Sequence, residues 1–402
     1  MIEVLHHEKE IAQLLQDENR HILQYRPGCD IADSISLTMP SNHPVYIHER
    51  YLHPYFEMFL PEGYLYELFK QLLAKRHGKV DDFAIFSLLA QNIAARITYR
   101  TKAQAKAFEP ISLQELIEND TPDLFHSLVH RFLEKNAISG IQPKSIAVVA
   151  DKGTLGTKEY IVKTWGDEYP HLAENEYFCM QAVRYAGVAT PQIILSANKR
   201  FLLVENFTYD KESEEFLGFE EVLVLMGKNR IDKYRGSYEQ VVKTIESFVT
   251  EREESLESFF KLMVLNYLLK NGDAHLKNFG LLYSDDFRRI FFAPAYDVIC
   301  TLPYIFVDRP ALTLFGKKVW YGRDALLEYG QKYCHLSRAQ AMRCYEACYE
   351  GVERACRELE AYLEENPAFL QIGLRILHIW RFSLEHHTET FKELPREIVR
   401  AG

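Results

Sequence analysis

The sequence predicts an α+β fold in which a strand-rich segment leads into a largely helical one, and three observations carry that prediction. Apolar runs of strand length bounded by turn residues cluster at Ser145 to Ala150, Glu159 to Trp165, Gln192 to Leu195 and Arg200 to Glu205. Leu256, Phe259, Phe260, Met263, Val264, Tyr267 and Leu268 then recur at intervals of three and four, the stripe of a helix buried among others. The 402 residues, 47% hydrophobic and 26% charged, have a globular composition and enough length for two or three compact units.

The bulk numbers also exclude some functions. A net charge of -10 without a long like-charge tail argues against a protein that grips nucleic acid with its whole surface. No apolar run approaches membrane-spanning length, and the start Met-Ile-Glu-Val-Leu-His-His-Glu-Lys-Glu lacks a basic segment followed by an apolar one. The expectation is a cytoplasmic chain with no membrane partner. Seven cysteines without a Cys-x-x-Cys pair fit a reducing compartment. Cys344 and Cys348 lie one helical turn apart and with His335 have the elements of a metal site, but such cysteines are more often small buried apolar residues.

Taken in order, Tyr64 to Leu73 has helical periodicity, and its aromatic content reads as core in preference to a docking surface. Ala137 to Lys144 precedes the first strand of the 145–205 cluster, and Asp151 to Thr154 turns the chain into the second, which carries Lys163. The helix-like stretch from Leu172 to Tyr185 follows, with Glu176. Two apolar strands around a turn at Asn198 end in Glu205-Asn206-Phe207, where a connector between lobes would run. Gly272 is expected to stop the striped helix just before Asp273. Leu281 to Tyr283 and Ile290 to Phe292 flank Ser284-Asp285-Asp286 as a β-hairpin that returns the chain to Asp297. Leu326, Leu327, Tyr333 and the stretch from Ala339 to Leu363 read as helices.

Singly, Asp273 is a helix-end cap, Asn278 a turn residue and Asp297 a loop start. As an ordered set they have the pattern that phosphoryl transfer from a nucleotide requires: a carboxylate to orient the acceptor hydroxyl, an amide five positions on for a metal ion, and a second carboxylate on the metal that bridges the phosphates. Lys163 on a strand and Glu176 on the next helix match the pair that holds the α- and β-phosphates. The order of elements is that of a kinase-like bilobal fold, with a mixed β N-lobe and an all-helical C-lobe. Neither a Gly-x-Gly-x-x-Gly loop nor a P-loop is present. Ser139, Gly140, Gln142 and Lys144 supply hydrogen bonds, a permissive backbone and a charge for covering phosphates, though alone they are an ordinary loop.

These residues resemble the HipA-type serine/threonine kinase toxins of bacterial toxin-antitoxin systems. Ser139 to Lys144 is similar to that family's Ser/Ala-Gly-x-Gln-x-Lys loop, Asn175-Glu176-Tyr177 to its Asn-Glu-Tyr motif, and Val204 to Phe207 to its Val-Glu-Arg-Phe connector, with Asn206 in place of the arginine. Asn271 to Phe279 is close to its catalytic loop and Ala293 to Val298 to its Ala-Pro-x-Tyr-Asp motif. Ile35 to Leu37 and Phe56 to Gly63 look like its N-terminal subdomain.

The resemblance implies an N-terminal subdomain over 1–110, an N-lobe over 111–205 and a helical C-lobe over 206–402. It implies use of ATP and Mg2+, with Asp273 catalytic, Asn278 and Asp297 at the metal, and His275, Lys277 and Tyr296 around nucleotide or metal. Lys163 would take the phosphates, and Glu205 with Phe207 the adenine. It also implies a protein substrate such as an aminoacyl-tRNA synthetase, and a helix-turn-helix antitoxin through which alone DNA would be contacted. The family's switch serine is Ala137 here, so Ser139 is the expected autophosphorylation site. Two other readings stand beside the kinase: a kinase-shaped binding module or co-repressor, and a small-molecule phosphotransferase.

Overall fold

The structure, a computed structural model, describes residues 1–61, 66, 67, 70, 74, 80–101, 113–119, 121, 144–150, 157–163, 169–210 and 212–400. Ser139, Gly140 and Gln142 of the expected phosphate loop lie outside these, as does most of the 64–73 stretch. Two compact units divide the chain: Met1–Trp165, Ile193–Ile231 and Leu282–Arg289 form one, and Gly166–Gln192, Asp232–Leu281 and Ile290–Gly402 the other.

In the first unit, β1 (Ile2–His6), β2 (Lys9–Asp17), β3 (Arg20–Tyr25), β4 (Val45–Glu49) and β5 (Ile97–Arg100) make an antiparallel sheet in the order β4-β3-β2-β1-β5. Alternation sets its inner face: Ile2, Val4, Ala12, Leu14 and Leu23 are all but sealed and join Phe56, Phe86 and Tyr99 in one core. His7 and Glu8 connect β1 to β2 with positive φ at both (46° and 63°), the twist-compatible two-residue hairpin turn made here without glycine. A second antiparallel sheet runs β6-β7-β9-β8, from Lys144–Ala150 (β6), Thr157–Lys163 (β7), Ile193–Leu195 (β8) and Leu202–Glu205 (β9). All four strands expected between 145 and 205 are present.

Two carboxylates tie segments distant in sequence within this unit. Glu220, fully buried on the Gly218–Glu221 strand, accepts the Leu37 N–H at 2.7 Å, the Ser36 hydroxyl at 2.8 Å and the Tyr283 hydroxyl at 3.0 Å. Gly218 lets the Tyr283 ring lie against the backbone, since a Cβ there would stand 1.8 Å from a ring carbon. Asp285 accepts from His6 Nε2 at 2.6 Å, His7 Nε2 at 2.9 Å and Arg96 Nε at 2.8 Å. His6, His7 and Asp285 lie as close as metal ligands do. The guanidinium on the same carboxylate makes the cluster an ionic tie.

The second unit is built of helices: Leu172–Tyr185, Tyr238–Phe248, Arg252–Leu268, Arg323–Tyr333, Arg338–Glu365 and Leu370–Glu385. Ser237 with Gln240, and Ser337 with Gln340, form capping boxes that fix two of the starts. The stripe predicted for residues 256–268 is there, yet Leu262, Leu265 and Asn266 are buried as well, so the helix is enclosed on all sides from Leu262 to its end. Gly351 allows the 338–365 helix to meet the 172–185 helix, because a Cβ would lie 2.8 Å from the Ala182 carbonyl.

The expected role of Gly272 is corrected. The helix ends at Leu268, and Lys270, at φ 59°, is the left-handed residue that turns the chain out. Gly272 is needed for space instead: a Cβ would fall 1.8 Å from the Asp308 carboxylate.

Candidate active site

The segment after Lys270 is held almost atom by atom. Asn271 donates its N–H to the Asn266 carbonyl and its amide to the Asn266 side chain, both at 2.9 Å. Gly272 N–H donates to the Thr301 hydroxyl at 3.0 Å, and Asp273 N–H to the Asn271 side chain at 3.1 Å. His275 N–H is shared between the Asp273 carbonyl at 2.7 Å and Asn278 Oδ1 at 3.0 Å, and Asn278 N–H returns to the His275 carbonyl at 2.9 Å. Tyr296 donates its hydroxyl to the Lys277 carbonyl at 2.8 Å, which fastens the stretch around Asp297 to the loop. A loop with so many internal bonds keeps its functional groups in one geometry.

Asp273 Oδ1 accepts the Tyr234 hydroxyl at 2.7 Å. Burial raises its carboxyl above the ordinary range, and the negative charges of Asp297 and Asp308 add to this, while the Tyr234 hydrogen bond and Lys233 pull the other way. Asp297 sits at φ 55°, a left-handed conformation that a non-glycine residue adopts at a cost. The segment beyond it is anchored by Asn175, whose side chain donates to the Cys300 carbonyl at 2.8 Å and accepts the Cys300 N–H at 2.9 Å. Thr301 also contacts the Lys270 carbonyl and the Asp308 carboxylate. In the second unit the structure therefore gathers Asp273, His275, Lys277, Asn278, Tyr296 and Asp297 around one loop.

Of the remaining expected site residues, Lys144, Lys163, Glu205 and Phe207 belong to the first unit and Glu176 to the second. Lys163 ends β7 and is 3% exposed, with Lys144 opposite it on β6 and Leu202 on β9. Glu205 pairs with Tyr160 at the end of β9 and is half-buried. Phe207, also half-buried, meets Phe219 edge-on at 5.4 Å. Asn206 accepts the Thr208 N–H at 3.1 Å and its hydroxyl at 2.7 Å, so the residue that replaces arginine in the connector shapes a turn. Glu176 is buried in the 172–185 helix. The cysteine pair stands apart from His335: Cys348 Sγ faces the Lys261 carbonyl, and His335 contacts Glu246.

Sequence reasoning missed Tyr234, Thr301 and Asp308. Nothing in the spacing of Lys233-Tyr234-Arg235 marks it as a neighbour of Asp273, and contact at such separation is set by tertiary folding. The Asn175 anchor was inside a recognised motif, but only Glu176 was given a role.

With this geometry in hand, comparison with known proteins is decisive on kinship. The HipA-like C-terminal domain model matches residues 136–357 and the HipA N-terminal domain model residues 2–100. The chain belongs to the HipA family. Among relatives of this HipA-family chain is Y4dM of Sinorhizobium fredii, provisionally named a kinase, 26% identical over 66% of this chain and 66% of its own length. A Haemophilus influenzae protein provisionally named a kinase is 30% identical over 42% of this chain and 53% of its own. The match thus spans about two thirds or less of these relatives. A chain of the Shewanella oneidensis MR-1 complex of HipA, HipB and operator DNA superposes with a TM-score of 0.68 at 16% identity over the whole of both chains. That likeness establishes the HipA-type, kinase-like α+β fold. Among the described residues no helix is long and apolar enough to cross a membrane.

Proposed function

We propose that this chain is a serine/threonine protein kinase that transfers the γ-phosphate of ATP to a hydroxyl of a cellular protein. The observation that supports it most is Asp273: a half-buried carboxylate on a rigid loop, with a hydroxyl 2.7 Å from Oδ1, which is the relation an acceptor serine or threonine must have to its catalytic carboxylate. In the proposed step the acceptor oxygen forms a bond to the γ-phosphorus as the bond to the β,γ-bridging oxygen breaks. ADP leaves and the acceptor proton passes to Asp273.

An amide oxygen on Asn278 and a carboxylate on Asp297 are the hard donors that Mg2+ takes, and Asn278 Oδ1 keeps a lone pair beyond the one given to His275 N–H. The ion, when bound, neutralises charge on the phosphates. Lys163 is assigned to the phosphates and Glu205 with Phe207 to the adenine. His275, Lys277 and Tyr296 are placed about the nucleotide and metal. Gly140, Gln142 and Lys144 cover the phosphates, with Ser139 the autophosphorylation site.

Kinship supports the choice of partners. The Shewanella chain is part of an assembly with HipB and operator DNA, which supports a small helix-turn-helix antitoxin for this chain and DNA contact only through it. An aminoacyl-tRNA synthetase is the first substrate to try, and the cytoplasm the expected compartment.

The test is labelling by [γ-32P]ATP and Mg2+ of the protein alone and with a cell lysate, beside Asp273→Ala. Label that Asp273→Ala lowers by about 100-fold or more is expected, the size of a lost acid-base group. Equal labelling by a folded Asp273→Ala overturns the assignment.

A further inference from the structure

The Tyr234 hydroxyl stands where a substrate hydroxyl should. It reaches Asp273 Oδ1 at 2.7 Å, while the residue as a whole remains 45% exposed. The bond is charge-assisted, and the backbone that carries Tyr234 sets the ring in reach of the carboxylate.

That backbone is firmly seated. The Lys233 carbonyl accepts the Leu276 N–H at 3.0 Å, so the tyrosine's own segment is bonded to the catalytic loop three residues beyond Asp273. Gly236 lies against the Leu276 side chain, at 3.0 Å from where a Cβ would be, and its carbonyl accepts the Thr313 N–H at 3.2 Å. Arg235 N–H closes the turn onto the Asp232 carbonyl at 2.8 Å. The tyrosine ring then meets the His275 ring edge-on, with centroids 5.2 Å apart. Turn and ring are fixed from both sides, and the hydroxyl is delivered to the carboxylate.

We propose that Tyr234 holds the acceptor place at Asp273, an intramolecular stand-in that an incoming serine or threonine hydroxyl must displace. The inference rests on the kinase reading above and makes Tyr234 a determinant of acceptor binding. Displacement requires the ring to rotate toward solvent, giving up its edge contact with His275 and the Lys233 ammonium that lies 5.4 Å from its centroid. Its cost falls on acceptor affinity. In the absence of acceptor, the phenol keeps water from the position next to Asp273.

The experiment compares wild type, Tyr234→Phe and Tyr234→Ala in ATP-Mg2+ assays with dephosphorylated casein as acceptor. Acceptor-free ATP hydrolysis is measured alongside, and melting temperatures confirm folding. Tyr234→Phe keeps the ring on His275 and removes only the hydroxyl. The expected result is a KM for casein lowered about tenfold, the worth of one hydrogen bond to a charged group, together with faster acceptor-free hydrolysis. Tyr234→Ala should lower KM at least as far. A fall in kcat with KM unmoved would make Tyr234 a support for Asp273 and overturn the proposal, as would no change in either variant. Labelling in wild type that disappears in Asp273→Ala, together with an unmoved Tyr234→Phe, rejects the stand-in and leaves the kinase reading intact. No Asp273-dependent labelling or hydrolysis in any form rejects both.

Discussion

Asp273 is subject to opposing influences whose sum, on the catalytic role proposed for it, would set the acid side of the activity. Burial and the charges of Asp297 and Asp308 favour its protonated form, and the Tyr234 hydroxyl and Lys233 favour the carboxylate; the balance is upward. If Asp273 orients an acceptor as proposed, it must be ionised to do so and would lose that function at a higher pH than an ordinary aspartate. In a pH profile of kcat/KM, the acid limb should fall above the usual aspartate value of about 4. A limb at or below that value would mean that another group sets it. At this scale the sequence marks the candidate residues and hides the groups that support them. Asp273, Asn278 and Asp297 declared themselves by spacing, because the loop that carries two of them is local and the third is returned by a hairpin. Tyr234, Thr301 and Asp308 reach the same loop through folding of the whole helical unit, and no local pattern records that.

Elements follow the same division. The strands between 145 and 205, the hairpin and the helix from 252 to 268 were legible because alternation, turn residues and a three-four stripe are local consequences of burial. The predicted hairpin is closed at its tip by Ser284 N–H on the Arg289 carbonyl and at its base by Ala293 N–H on the Gly280 carbonyl, both at 2.9 Å. The end of the 252–268 helix was misread, since Lys270 takes the left-handed position that composition assigns to glycine. The role of Glu220 could not be read at all: a glutamate in Gly-Phe-Glu-Glu looks like a solvated strand residue, and its partners lie at 36, 37 and 283. Burial raises its carboxyl to about 7 despite three donors. Because this value lies above that of the unfolded chain, the stability it contributes is complete below about pH 4.3 and is lost as pH rises through about 7. Between pH 5 and 8 the wild-type melting temperature should therefore fall, by an amount corresponding to something on the order of 3 kcal/mol from this group. Glu220→Gln keeps an acceptor oxygen without the charge and should flatten that dependence. A mutant with the wild-type slope would show that Glu220 does not titrate there.

At the scale of the molecule, the two units are each assembled from three stretches of chain, which limits what can be cut away. In the first unit β7 pairs with β9, whose residues come after the 172–185 helix of the other unit. A fragment ending near residue 165 would keep β6 and β7 and lose the strand beside them, leaving an edge of unpaired N–H and C=O groups. A fragment of residues 1–101 is a different case. Its sheet is complete, and among the described residues the core beneath that sheet draws on only Val224 from outside the first hundred. Besides Val224 it loses polar ties, Glu220 on Ser36 and Leu37, Asp285 on His6, His7 and Arg96, Asn229 and the Arg230 N–H on the buried Glu57, and Arg230 on Asp82 at 3.1 Å, together with the Tyr283 and Phe287 rings at the Arg96 guanidinium. Arg96 and His6 are buried in the intact unit, and the fragment is expected to open them to water that can replace the missing partners. The 1–101 fragment is thus expected to fold, with dispersed amide resonances and a cooperative melt, but to be less stable by about 2–4 kcal/mol from the loss of several hydrogen-bonded ties. The 1–165 fragment should show the same dispersed resonances for residues 1–101 and unprotected amides from 144 onward in hydrogen exchange. Protection of the β6–β7 amides in that fragment would show that the hairpin is stable without β9, and an unfolded 1–101 fragment would show that the polar ties hold the N-terminal sheet together.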